Sequence, residues 1–264
     1  MRHSSILVDL GIPDDDGRLT EYLRNPPNDD VVVRTLYKSP DDYFMVEASI
    51  VVCSASERSQ SLGARKRPVH FRKTIKTSAP DAGPRTEFDK ARELYKKMPS
   101  VVPEPISCDE HEIRSEYIPG ISLRCLAIKF GLATPLKGDG PFKKRPPGEF
   151  DLHSLWRHAE QASSSLEQFH KNGYIHGNLH LENIIIAPGR AVLVDLKTAR
   201  PSRGREDEEN DFKNIVAFAR KLIAAGAKPD EKSPLLQRVN NAQEQPLPGR
   251  TYQSHQHHAE VITV

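Results

Sequence analysis

Tyr174-Ile175-His176-Gly177-Asn178-Leu179-His180-Leu181-Glu182-Asn183-Ile184-Ile185-Ile186 is the stretch that decides the fold of this chain. The residues before it read as a long amphipathic helix. Asp151 is the expected N-cap, and Leu152, Leu155, Trp156, Ala159, Ala162, Leu166 and Phe169 keep helical spacing up to Gly173. Its C-terminal end leads into a predicted hairpin, with Ile184–Ile186 and Val192–Val194 as short apolar strands around Pro188-Gly189. The second strand runs directly into Asp195. An amide at one end of a tight hairpin and a carboxylate at the other offer the hard oxygen ligands that magnesium prefers, so Asn183 and Asp195 are the candidate metal ligands. Taken singly, each would be an ordinary turn or strand-end residue; it is the joint spacing that carries the reading.

Outward from this centre, the chain alternates between elements and polar connections. On the N-terminal side, Val31–Tyr37, Tyr43–Cys53 and Val69–Thr77 are predicted strands. Thr86–Met98 is a predicted helix with Phe88, Ala91, Leu94, Tyr95 and Met98 on one side, stopped by Pro103 and Pro105. Ile113–Ile118 is a further strand ending at Pro119-Gly120. Residues 1–30 read as a polar extension, Ser54–Pro68 as a loop, and Thr134–Glu149, rich in Gly, Pro and Lys, as a surface insertion. On the C-terminal side, Phe212, Ile215, Val216, Ala219, Leu222 and Ile223 mark a second amphipathic helix that Asp211 opens. From Ala227 to Val264 the chain turns polar and reads as a disordered tail, and its His255, His257 and His258 as a solvated cluster.

Composition narrows the class. The 264 residues can hold one large domain or one two-lobed domain around a single cleft. Thirty-eight basic against 36 acidic side chains give a net charge of +2, which offers no electrostatic case for nucleic acid or a membrane surface. Cys53, Cys108 and Cys125 have no metal-ligand spacing, so a reducing compartment is expected. No apolar run approaches the ~20 residues of a membrane span, and Met1–Asp16 turns acidic too soon for a secretory signal. An intracellular, cytoplasmic protein is the expectation.

The 174–195 stretch resembles the catalytic loop and metal-binding segment of protein kinases, His-Arg-Asp with Asn five residues later and then Asp-Phe-Gly. His176 stands at the first position, Asn178 at the catalytic Asp position, Asn183 at the Asn position and Asp195, in Asp195-Leu196-Lys197, at the metal-binding Asp. Gly177 and His180 are similar to the aminoglycoside and choline phosphotransferases and the small atypical kinases. The resemblance covers about 31–226. It implies an α+β, two-lobed, protein-kinase-like fold, with a β-rich N-lobe over about 31–114, a hinge over 115–120 and a reduced helical C-lobe over 121–226. It also implies ATP and magnesium as ligands. Lys73, with Lys76 as alternate, would grip phosphates and pair with Glu87, with Glu93 as alternate. Glu116 to Ile118 would receive adenine through backbone groups.

The sequence departs from that pattern in several places. No Gly-x-Gly-x-x-Gly loop precedes Lys73, Phe71 falls where alanine commonly covers adenine, and about sixteen residues separate Asp195 from Asp211. Above all, Asn178 is an amide, which can orient a hydroxyl but cannot take its proton. Such general-base help is worth ~10²–10⁴ in rate. The leading expectation is therefore a pseudokinase or weak kinase that binds ATP and magnesium and acts partly through a protein partner or substrate. The alternatives are an active phosphotransferase on a protein hydroxyl or small molecule, and an interaction module that no longer binds nucleotide.

Overall fold

The computed structural model describes residues 31–38, 44–52, 69–77, 84–134 and 148–244. The expected N-terminal extension, the 54–68 loop, most of the 134–149 insertion and the tail beyond 244 lie outside the described residues. The architecture is mixed α+β, with small antiparallel sheets and, among the described residues, five α-helices.

Five strands form the larger sheet: β1 (Val31–Lys38), β2 (Phe44–Val52), β3 (Val69–Thr77), β4 (Pro105–Cys108) and β5 (Glu112–Glu116), in the spatial order β1-β2-β3-β5-β4. All neighbours are antiparallel. The β2–β3 register is unbroken from Phe44↔Thr77 to Val52↔Val69, and β3 pairs on its other side with β5 through Lys73↔Ile113. Between β3 and β4 the chain forms helix α1 (Pro84–Lys97). Its apolar side splits its anchorage. Phe88 packs with Ile113 of the sheet, while Leu94, with Met98 just past the helix end, enters the main core.

After β5 the chain passes through Tyr117–Gly120 into β6 (Ile121–Ser122) and α2 (Leu123–Lys129), a short helix capped by the Ser122 hydroxyl, which accepts from Cys125 N at 3.1 Å. Gly120 is required here: a Cβ would stand 2.4 Å from the carbonyl oxygen of Ile186, so only glycine lets the crossing segment lie this close. The long helix α3 (Glu149–Lys171) starts three residues earlier than the sequence suggests. Gly148 is its N-cap, and Asp151 lies in the first turn, where its carboxylate accepts from Gly148 N at 3.3 Å.

Then come β7 (Tyr174–Ile175), the expected hairpin β8 (Ile184–Ala187) and β9 (Arg190–Leu193), β10 (Arg200–Pro201), helix α4 (Arg205–Ala224) and helix α5 (Pro234–Glu244). Two findings correct the sequence reading. Helix α4 starts at Arg205, so Asp211 sits inside the helix rather than opening it, and Ile223 faces outward at 36% exposure. The polar tail does not begin at Ala227. Ala227, Leu235 and Val239 are buried in the main core, so α5 closes this end of the fold. Leu235 and Val239, four apart, with half-buried Leu236 packed beside them, dock this short helix.

Candidate functional site

The conformation of segment 174–198 is set by contacts to helix α4 and by one bond within the segment itself. Asp211, only 5% exposed on α4, accepts the backbone N–H of His176 at 2.6 Å on one carboxylate oxygen and that of Gly177 at 2.9 Å on the other. His170 Nε2 lies 3.2 Å from the same carboxylate. The Thr198 hydroxyl donates to His176 O at 2.9 Å, and Asn214 Nδ2 donates to Leu179 O at 2.8 Å. Gly177 has φ +78°, and a Cβ there would meet Thr198 O at 2.8 Å, so both backbone conformation and space demand glycine.

His176 is fully buried, and its Nε2 donates to Val194 O at 2.9 Å, one residue before Asp195. Burial pushes its pKa below the ordinary value, against the raising effects of that bond and of the Asp211 charge. The ring is thus a neutral strut beneath the loop. Its expected place among the catalytic groups is corrected to a positioning one, because a side chain with no exposed surface does not reach a substrate.

Asn178 and Asn183 stand above it. Asn183 Nδ2 donates to Asn178 O at 3.0 Å, which turns the Asn183 amide oxygen away from that bond. The Asn183 backbone carbonyl accepts from Val194 N at 3.0 Å, tying the loop to the strand end that leads into Asp195. The Asn178 side chain is exposed and makes no hydrogen bond with the described residues, so it is free to meet an incoming group. Asp195 has φ 60° and ψ 59°, the one left-handed non-glycine residue among those described. That conformation is uncommon outside glycine, though Asp tolerates it better than most. Here it turns the carboxylate toward β3.

Lys73 meets it there. The ammonium donates to both carboxylate oxygens of Glu87 in α1, at 2.8 and 2.9 Å, and to Asp195 Oδ1 at 3.1 Å. The expected pair with Glu87 is therefore formed. Of the alternates, Glu93 is engaged with Lys97 and Tyr174, and the Lys76 side chain lies outside the described residues. Burial alone would push the Lys73 ammonium down, but the charges of Glu87 and Asp195 outweigh it and hold its pKa above the ordinary lysine value.

Glu116 and Ile118 take more internal places. The Glu116 carboxylate accepts from Arg190 Nη2 at 3.2 Å and from Glu104 N at 3.2 Å, so the side chain is spent within the protein. Ile118 is buried with Ala187 and Val192, and half-buried Ile185 and Val194 pack on them. Sequence reasoning missed this apolar patch. Along β8, Ile184 and Ile186 enter the main core while Ile185 and Ala187 join Ile118, the period-two alternation of a strand. Three successive isoleucines concealed which face was which.

Chemically, the arrangement places a carboxylate, an amide, an ammonium and a half-buried apolar patch around one region. Asp195 and Asn183 could hold a hard cation. Among the described residues no group of three or more His, Cys, Asp or Glu side chains is gathered for a metal, so such an ion would complete its shell from a ligand and water. Among the described residues no helix is long and apolar enough to cross a membrane. No protein-family profile matches the chain, and none of the curated proteins is a detectable relative in sequence.

Proposed function

We propose that the chain is a two-lobed, protein-kinase-like domain that binds ATP with magnesium and transfers phosphate weakly or not at all. The observation that carries this reading is the Lys73–Glu87–Asp195 constellation, three residues remote in sequence whose charged groups meet within 3.1 Å. The strand order β1-β2-β3-β5-β4, with α1 inserted between β3 and β4, agrees with such an N-lobe. In this reading Lys73 holds phosphate oxygens and Glu87 keeps the ammonium aimed at them. Asp195 and the Asn183 amide oxygen would hold magnesium, which neutralises phosphate charge when bound. The patch of Ile118, Ile185 and Val194 excludes water from one side of an adenine ring.

Asn178 is the reason to expect weak or absent transfer. Its exposed amide can orient an acceptor hydroxyl but offers no carboxylate for the departing proton. A second reading, an active phosphotransferase with a small acceptor, draws on the short link after Asp195. Helix α4 begins at Arg205, and the intervening residues are tied down by the β10–β7 pairing and by Ser202 N donating to Gly173 O at 2.8 Å. That leaves little chain to form a platform for a peptide.

The test is calorimetric titration with ATP in the presence and absence of magnesium. Micromolar, magnesium-dependent binding that Asp195→Ala abolishes and Lys73→Ala weakens is the expected result. An absence of ATP binding by a folded wild-type protein would leave the interaction module as the reading to pursue.

A further inference from the structure

Helix α1 carries a second set of polar contacts that the Lys73 pair does not explain. Glu87, Lys90, Glu93 and Lys97 succeed one another at spacings of three, three and four, which sets them along one face of the helix. Each reaches the 174–198 segment or its partner Lys73. Lys90 Nζ donates to Lys197 O at 2.7 Å, just past Asp195. Lys97 Nζ donates to the Tyr174 hydroxyl at 2.6 Å and lies 3.2 Å from Glu93, and the same hydroxyl donates to Glu93 Oε1. The Lys97 ammonium also stands 4.6 Å from the centre of the Tyr174 ring, and that ring packs edge-on against buried Phe169. Tyr174 lies two residues before His176 on β7, so a pull on its hydroxyl is a pull on the loop.

The apolar anchorage of α1 explains why such contacts would matter. Leu94 and Met98 tie down its C-terminal end within the main core, whereas the half that carries Glu87 contributes buried Pro84 and Phe88, the latter packed on Ile113 of the sheet. A turn of the helix about that anchored C-terminal end carries Glu87 away from Lys73, and the contacts of Lys90, Glu93 and Lys97 hold the helix face that such a turn would move.

We propose that Lys90, Glu93, Lys97 and Tyr174 form a polar latch whose role is to hold α1 in the orientation that keeps Glu87 on Lys73. The four are positioning residues. The latch is built from unmodified side chains, so the Lys73–Glu87 pair stands assembled without any modification of the short 196–204 link. Only the consequence for nucleotide binding rests on the reading given under Proposed function. The lowered pKa of Glu93, caused first by its bond to Tyr174, and the raised pKa of Lys97, caused first by the same hydroxyl, fit a hub centred on that oxygen.

The test uses the full chain without nucleotide and compares wild type with Tyr174→Phe, which keeps the ring and removes the hydroxyl. Amide hydrogen exchange over 88–97 and the rate at which an amine-reactive ester acylates Lys73 are both measured. The expected result is a rise of roughly three- to tenfold in both, because each exposed polar link contributes little singly and the hub removes several at once. Exchange over 152–169 should stay unchanged. Lys97→Met, which breaks the hub from its exposed side, should reproduce the effect if Tyr174→Phe folds poorly. Unchanged exchange over 88–97 in both variants overturns the latch. Faster exchange with unchanged Lys73 acylation overturns its role in holding Glu87. Titration with magnesium and ATP then serves as a separate measurement: a latch proven by exchange in a protein that binds no ATP would refute the nucleotide reading and leave the latch standing.

Discussion

The carboxylate of Asp211 accepts the backbone N–H of His176 at 2.6 Å, joining the middle of helix α4 to the first residue of the loop that bears every candidate group from 176 to 183. The bond is buried and has a twin in Gly177 N at 2.9 Å, so one side chain satisfies two successive amides. Asp211→Ala would leave the buried His176 N–H and the part-buried Gly177 N–H without their acceptor. A buried donor left unpaired costs about 1–3 kcal/mol, and a loss of about 2–4 kcal/mol is expected from urea unfolding. Asp211→Asn keeps one acceptor oxygen and should fall between. A loss below about 0.5 kcal/mol, the size of an ordinary surface change, would mean that the loop holds its shape without this brace.

His176 predicts a pH dependence with a definite sign. Its pKa is lowered in the folded state from the ordinary 6.5, because burial disfavours the imidazolium. The unfolded chain therefore binds a proton more readily than the folded one. This contribution to stability is complete above about pH 6.5 and declines as pH falls below it, by at most about 1.4 kcal/mol per unit for one proton. His176→Gln retains an amide donor for Val194 O and does not titrate. The stability difference between wild type and variant should accordingly shrink between pH 7.5 and 5.5. A difference that stays constant or grows on acidification would show that His176 is not held neutral.

Much of this arrangement was legible in the sequence. The spacing from His176 to Asp195 located the hairpin and both candidate metal ligands, because a two-strand turn and a helix leave few ways to connect those residues. Lys73 and Glu87 were legible only through the kinase resemblance, since no local pattern relates a strand lysine to a carboxylate fourteen positions away. Helix α2 was missed, being seven residues long and dependent on its Ser122 cap. The contacts of Lys90 and Tyr174 were not legible either. A lysine on a helix face reads as solvated, and nothing in sequence tells that its ammonium ends 2.7 Å from a remote carbonyl. The tail beyond Ala227 misled for a related reason: Leu235 and Val239 are too few to mark a core helix until the surface that receives them is known.

Gly177 offers a sharper steric test than most glycines, because Gly173 supplies an internal control. Both have positive φ, +78° and +82°, so replacing either with alanine costs about 1–2 kcal/mol for the left-handed conformation. A Cβ at Gly173 meets nothing within 4 Å, whereas one at Gly177 stands 2.8 Å from Thr198 O. Gly177→Ala should therefore be destabilised beyond Gly173→Ala by a further ~1–3 kcal/mol, the range of an overpacked site. It should also loosen the Thr198–His176 bond, seen as faster amide exchange around 196–199. Equal losses in the two variants would remove the close approach of 177 to 198 from the account of this loop.

Asn178→Asp addresses the chemistry directly. The two side chains are nearly the same size, and the contacts that hold position 178 use its backbone carbonyl, which accepts from Asn183 Nδ2 at 3.0 Å and from His180 N at 3.1 Å. The side chain itself is exposed and without a hydrogen bond to the described residues, so the exchange should leave the fold intact. What changes is the capacity to take a proton from an acceptor hydroxyl, the property an amide lacks. Given bound ATP and magnesium, phosphoryl transfer should rise by a factor of about 10 to 10³, short of the full general-base range because Phe71 and the glycine-poor loop remain. The measurement is ATP turnover and autophosphorylation of both proteins at equal nucleotide occupancy. A rise identifies a kinase with one principal lesion. Continued inactivity with ATP bound identifies a binding role, with Lys73, Asn183 and Asp195 retained to hold nucleotide rather than to transfer phosphate. Strong activity in the wild type that falls on Asn178→Asp would overturn the argument from the missing carboxylate.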